Sequence, residues 1–215
     1  MILIFDLDGT LIDSAPDIAA AVNQVLHEEG LAPLDLPTVT GFVGNGLPKL
    51  VERVMAACAL PSARHQELTA RVLRQYEAEP SARTRVYPGV VQALKDLQVA
   101  GHELALCTNK PEAPARAILQ QLGLDSFFPV VIGGDTLSVN KPNPAPALAA
   151  QAQMGGGPAA FIGDSEVDAA TAKAAAMPFY LFTEGYRKSP VDQLPHHAAF
   201  ADFANLPSLI GQTEA

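Results

Sequence analysis

Two aspartates, Asp6 and Asp8, follow the apolar run Ile2-Leu3-Ile4-Phe5 and precede Gly9-Thr10-Leu11. Side chains of an extended segment alternate, so residues two apart point the same way. Both carboxylates can therefore reach one site, and Gly9 lets the backbone turn sharply away from it. Clustered carboxylates are suited to proton transfer and to holding hard cations. Two more polar clusters stand directly behind apolar runs. Thr108-Asn109-Lys110 follows Leu104-Ala105-Leu106-Cys107, and Gly163-Asp164-Ser165 follows Ala160-Phe161-Ile162. Thr108 and Asn109 carry neutral donors for anionic oxygens. Lys110 reads as a surface residue. Asp164 and Asp168 are four apart at an expected helix start and share a face. Lys141 lies in Asn140-Lys141-Pro142-Asn143-Pro144, a loop stiffened by its prolines.

These groups need a scaffold that brings them together. A continuous apolar run is the mark of a strand buried on both faces. From Val86 onward such runs alternate with helical patterns. The expected helices are Val90 to Val99, Glu112 to Leu122, Ala145 to Met154 and Glu166 to Ala176. The expected strands are Glu103 to Cys107, Val130 to Ile132, Ala159 to Ile162 and Pro178 to Phe182. Alternation of this kind predicts a parallel sheet with right-handed crossovers, whose ligands bind beyond the carboxyl ends of the strands. All three polar clusters then meet at one edge. Between about 15 and 85 only helical patterns occur, beginning with Asp17 to Glu29 behind Ser14 as N-cap. The expectation is an α/β fold: a Rossmann-like core of residues 1–14 and 86–215, with an all-helical cap inserted at 15–85. A frayed tail is expected from Gln212.

Composition narrows the function. At 215 residues with 48% hydrophobic content, the chain can bury a substantial core. A net charge of −9 argues against a nucleic-acid surface, which needs clustered lysine and arginine. Cys58 and Cys107 lack paired spacing and read as reduced, buried residues. Four apolar residues separate Met1 from Asp6, too few for a leader, and no run approaches the ~20 needed to span a bilayer. The expectation is a cytoplasmic protein, a monomer or homodimer, with no membrane partner.

The string Phe5-Asp6-Leu7-Asp8-Gly9-Thr10-Leu11-Ile12-Asp13-Ser14 resembles the first signature motif of the haloacid dehalogenase-like hydrolases, and more narrowly their phosphoglycolate phosphatase group. Thr108-Asn109, Lys141-Pro142-Asn143-Pro144 and Gly163-Asp164 recur in that family's order. The resemblance implies a small phosphorylated substrate, Mg2+, and a two-step phosphoryl transfer through an aspartyl-phosphate. Asp6 would be the nucleophile and Asp8 the acid and then the base. Lys141 would stabilise charge, and Thr108 and Asn109 would bind phosphate oxygens. Asp6, the backbone carbonyl of Asp8, and Asp164 would hold the metal, with Asp168 and Ser165 supporting them from behind. The cap string around Gly44-Asn45-Gly46 also resembles this group, and would place backbone amides over the substrate. Gly185-Tyr186-Arg187 looks family-like, with Arg187 an anion contact. Ala176 stands where the family usually has glycine.

Other readings stay open on the sequence. A β-phosphoglucomutase-like phosphotransferase shares these motifs, as do sugar-phosphate phosphatases and pyrophosphatases. A phospho-acceptor or phosphate-binding module without turnover is the alternative of a different class.

Overall fold

The computed structural model describes residues 1–78 and 82–211; the tail from Gln212 lies outside them. The six-stranded sheet has the order β5-β4-β1-β6-β7-β8 and is parallel throughout. Its strands are β1 (Ile2–Phe5), β4 (Glu103–Cys107), β5 (Val130–Ile132), β6 (Ala159–Gly163), β7 (Phe179–Phe182) and β8 (Ala198–Phe200). The remaining two, β2 (Ile12–Asp13) and β3 (Arg85–Val86), form a small antiparallel ribbon. Pleating sends Leu3 and Phe5 of β1 into one hydrophobic cluster and Ile2 and Ile4 into another, on the opposite face. That is why the run before Asp6 is uninterrupted.

Helices α5 (Val90–Val99), α6 (Glu112–Gln121), α7 (Ala145–Gln153), α8 (Glu166–Ala174) and α9 (Leu206–Gly211) flank the sheet. Helices α1 (Ala15–Glu28), α2 (Leu36–Thr40), α3 (Leu47–Ala57) and α4 (His65–Ala78) instead pack on one another. They share a cluster of their own, including Val22, Leu26, Val51, Leu68 and Val72. Asp17 ties the start of this block to its end. Its buried carboxylate accepts from the backbone N–H of Arg83 and from both the N–H and the hydroxyl of Thr84. Because these donors sit beside β3, they fix the stem where the chain leaves and returns.

Several details differ from the sequence reading. Strand β8 has only three residues and pairs at the edge of the sheet, too short for an alternating pattern to register. Ser14 does stand at the N-terminus of α1, but its side chain makes no capping bond there. Cys58 is half-buried rather than buried.

Helix α8 ends in a Schellman motif. The N–H of Met177 reaches the carbonyl of Ala172, and that of Ala176 reaches Lys173. The motif places Ala176 at φ +55°, a left-handed conformation that costs a side-chain-bearing residue about 1–2 kcal/mol. Replacement by glycine removes that cost and adds about 0.4–1 kcal/mol of unfolded-state freedom. Ala176→Gly should therefore raise the melting temperature by about 1–4 °C, read by calorimetry. A fall would show that strain at this helix end is not limiting.

Candidate active site

The register of the sheet builds the site. Phe5 pairs with Leu106 on one side and Ile162 on the other. Asp6, Thr108 and Asp164 therefore leave three adjacent strands at the same edge. The backbone continues the ladder for one residue, with the Asp6 N–H on the carbonyl of Ile162 and the Thr108 N–H on that of Ile132. Lys141 arrives from the loop that follows β5.

Asp6, Asp164 and Asp168 are all buried and bring carboxylate oxygens within 4.8 Å of one another. Lys141, 3% exposed, lies 2.9 Å from Asp6 Oδ1 and donates to Asp168 Oδ1 at 2.7 Å. The other Asp168 oxygen accepts from the Ser165 hydroxyl and from the N–H groups of Asp164 and Ser165. Asp168 is thus fully occupied in holding Lys141 and the first turn of α8, where Ser165 and Asp168 form a reciprocal cap. Asp6 Oδ1 also takes the N–H of Leu7. Among the described residues nothing donates to its Oδ2, and Asp6 lines the cavity.

Burial pushes the Asp6 carboxyl up to about 7; the charge of Asp168 adds to this, and Lys141 opposes it. Burial likewise raises Asp164 well above its ordinary value, helped by Asp168 and Asp6 and opposed by the Tyr186 N–H and Thr10. Lys141 is held above its ordinary value: burial works against its charge, but Asp168 and Asp6 outweigh it. Cys107, whose thiol burial pushes up to about 12, stays protonated and plays no part.

Asp164 is the group that points to a cation. It is 1% exposed, and its oxygens accept from the Thr10 hydroxyl (2.7 Å) and the Tyr186 N–H (2.6 Å), with no lysine or arginine on it among the described residues. A buried carboxylate without a cation costs several kcal/mol. When all four carboxylates Asp6, Asp8, Asp164 and Asp168 are ionised they face two ammonium groups, Lys110 and Lys141, which leaves two negative charges for a cation or for protons to balance. Hard oxygen donors with a net charge of that size fit a divalent cation. Glycine makes the close packing possible. A Cβ on Gly9 would lie 2.5 Å from Asp164 Oδ2, and one on Gly185 would collide with Asp164 and the carbonyl of Gly9.

Asp8 is held by two partners. Ser14 Oγ donates to its Oδ1 at 2.5 Å, and Lys110 Nζ reaches both oxygens at 3.0 and 2.9 Å. Lys110 is therefore not a surface residue; it is buried, with its ammonium 4.5 Å from the centre of the Tyr76 ring. The spacing that paired Asp6 with Asp8 also pairs Thr108 with Lys110, and applied there it locates this lysine.

Asn109 also departs from expectation. Its amide nitrogen donates to the carbonyls of Gly44 and Lys141, and its oxygen accepts from the Lys141 N–H. The side chain is committed to bracing the lysine loop against the helical block rather than offered to a ligand. In the Gly44-Asn45-Gly46 turn, Gly44 and Gly46 line the cavity. Asn45 Oδ1 accepts from Arg53. Arg187 donates to the carbonyl of Ser189 and does not line the cavity. Tyr186, beside it, was missed: its hydroxyl donates to Asp13 and accepts from the N–H groups of Ser14 and Ala15, so one residue links Asp164 to the start of α1.

This geometry has known counterparts. Residues 1–176 match the family model of the haloacid dehalogenase-like hydrolases. A phosphoglycolate phosphatase of Cereibacter sphaeroides is 51% identical over 210 residues, covering 97% of this chain and 96% of that protein. One of Rhodobacter capsulatus is 45% identical over 215 residues, covering 97% and 95%. A crystal structure from Haemophilus somnus, described as a predicted phosphoglycolate phosphatase, superposes with a TM-score of 0.92 at 30% identity, covering 97% of each chain. The chain belongs to the haloacid dehalogenase-like hydrolase family. Among its described residues no helix is long and apolar enough to cross a membrane.

Proposed function

We propose that this protein is a Mg2+-dependent phosphatase that hydrolyses 2-phosphoglycolate through an aspartyl-phosphate. The observation that carries the reading is the placement of Asp6: one oxygen is held by Leu7 and Lys141, the other accepts from no donor among the described residues, and Asp6 and Asp8 line the same cavity. Asp6 Oδ2 attacks phosphorus while the bond to the leaving oxygen breaks, and Asp8 delivers its proton to that oxygen. Water then attacks the aspartyl-phosphate, Asp8 takes the proton from it, and the bond between phosphorus and Asp6 breaks to release phosphate. Lys141 and Thr108 face the transferring oxygens, and Asn109 acts by positioning Lys141. Asp6, the carbonyl of Asp8, and Asp164 would hold Mg2+, with Asp168 and Ser165 orienting them. When bound, the cation supplies positive charge to the phosphoryl oxygens and offsets the crowded carboxylates.

The block of residues 15–85 serves as a cap over this site. Its contribution to the cavity is mainly apolar, including Ile18, Val43, Leu50 and Val72, and it excludes water from the reaction. Walls of this kind leave the hydroxyls of a hexose phosphate without partners, which disfavours the mutase and sugar-phosphate readings.

Phosphate release should be followed for phosphoglycolate, glucose 6-phosphate, AMP and pyrophosphate, with Mg2+ or with EDTA. Continuous release that is fastest for phosphoglycolate and lost in EDTA is expected. Trapping of one phosphate per chain without turnover would overturn the reading in favour of a phospho-acceptor.

A further inference from the structure

The cavity between the helical block and the strand ends has its charged residues, Asp6, Asp8 and Lys110, on the core side only. Among its lining residues the one cation is Lys110, carried from the β4 end, and across from it stands Tyr76 of α4. Tyr76 is 7% exposed, and its hydroxyl has no hydrogen-bond partner among the described residues. A buried hydroxyl left without a partner costs roughly 1–3 kcal/mol, which a ligand oxygen would recover. Lys110 offers three donors, and Asp8 is the one carboxylate on it among the described residues.

The position of this pair matters as much as its chemistry. Asp8 must lie against the oxygen that leaves phosphorus, if it is to protonate it. Two residues touch Asp8, Ser14 and Lys110, and of these only Lys110 lines the cavity, so whatever the leaving group carries next to that oxygen falls beside Lys110. In a phosphorylated hydroxy acid that substituent is a carboxylate, one carbon from the leaving oxygen. Ile18, Leu50, Val72 and Leu73, which also line the cavity, offer it nothing polar.

We infer that Lys110 and Tyr76 form the subsite for the carboxylate of the leaving group and set the preference for small phosphorylated hydroxy acids. The inference rests on the phosphatase reading above and assigns its specificity to two residues, one from each side of the cavity. Lys110 supplies the charge, and Tyr76 supplies a hydrogen bond only when the helical block lies over the site. Selection and closure are thereby joined: a substrate without the carboxylate leaves Tyr76 unpaired.

The test compares phosphoglycolate with ethyl phosphate, which has the same phosphoryl group and a methyl in place of the carboxylate. The readout is the ratio of their kcat/KM values, because any damage to Asp8 or to packing lowers both. In the unaltered protein the ratio should strongly favour phosphoglycolate. Lys110→Met should reduce it by about 100-fold and Tyr76→Phe by about 10-fold, as expected for a charged and a neutral hydrogen bond lost on one side of the comparison. Lys110→Arg, which keeps the charge, should retain most of the preference. An unaltered protein that hydrolyses both esters equally well would overturn the subsite, as would variants that keep the original ratio. Release of phosphate from neither ester would instead remove the phosphatase reading and the subsite with it.

Discussion

Asp6→Asn should lower kcat by about 10^4-fold or more, some 5 kcal/mol of barrier, while leaving the protein folded. An amide oxygen in that position keeps the bond from the Leu7 N–H but is too poor a nucleophile to form the phosphoryl ester. The fold has reason to tolerate the change. Asp6 contributes to the repulsion felt by Asp164, and Lys141, which loses only the charge of its Asp6 partner, retains Asp168 at 2.7 Å. Without added metal the variant should melt at or above the temperature of the unaltered protein. This separates loss of chemistry from loss of structure. Steady-state phosphate release and a thermal melt on the same sample suffice. Retention of more than about a tenth of the activity would rule Asp6 out as nucleophile, since a group acting only through charge contributes less than a bond-forming one.

The parts legible in the sequence were those governed by a short repeating pattern. The apolar runs of β1, β4 and β6 announced buried strands, and the residues behind them, Asp6, Thr108 and Asp164, do share one edge of the sheet. Harder to read were roles that depend on what lies across a gap in sequence. The spacing from Thr108 puts Lys110 on the site's side of the strand end, but its partners Asp8 and Tyr76 are remote in sequence and reach it only after folding. Asn109 carried the right donors, yet their partners are set by the loop holding Lys141 and by Gly44. Tyr186 follows β7, next to β6, so the logic applied to the other strand ends extends to it; its backbone N–H on Asp164 leaves no mark in residue type. Ala176 was visible as an oddity, and only the dihedral angle gives it a physical meaning.

The charge imbalance at the site leads to a dependence on pH and metal that the fold alone does not have. A carboxyl whose value in the folded state lies above its unfolded one binds its proton more tightly when folded. For Asp6, moving from 3.8 to about 7, that contribution favours the metal-free fold below about pH 4 and is lost as pH rises through about 7. The amount is as much as about 4 kcal/mol, and Asp164 works in the same direction. A divalent cation competes with those protons and binds the ionised cluster. The rise in melting temperature on adding Mg2+ to EDTA-treated protein should therefore be larger at about pH 8 than at about pH 5. Taking the difference between the two conditions cancels histidines remote from the cluster. It also cancels Glu29, held near 2 by Arg64 and Arg71, which titrates below this window. In Asp6→Asn the pH dependence of the rise should be reduced, because one of the groups competing for protons is gone. A rise that is equal at both pH values, or greater in acid, would mean that the cation does not bind at Asp6 and Asp164.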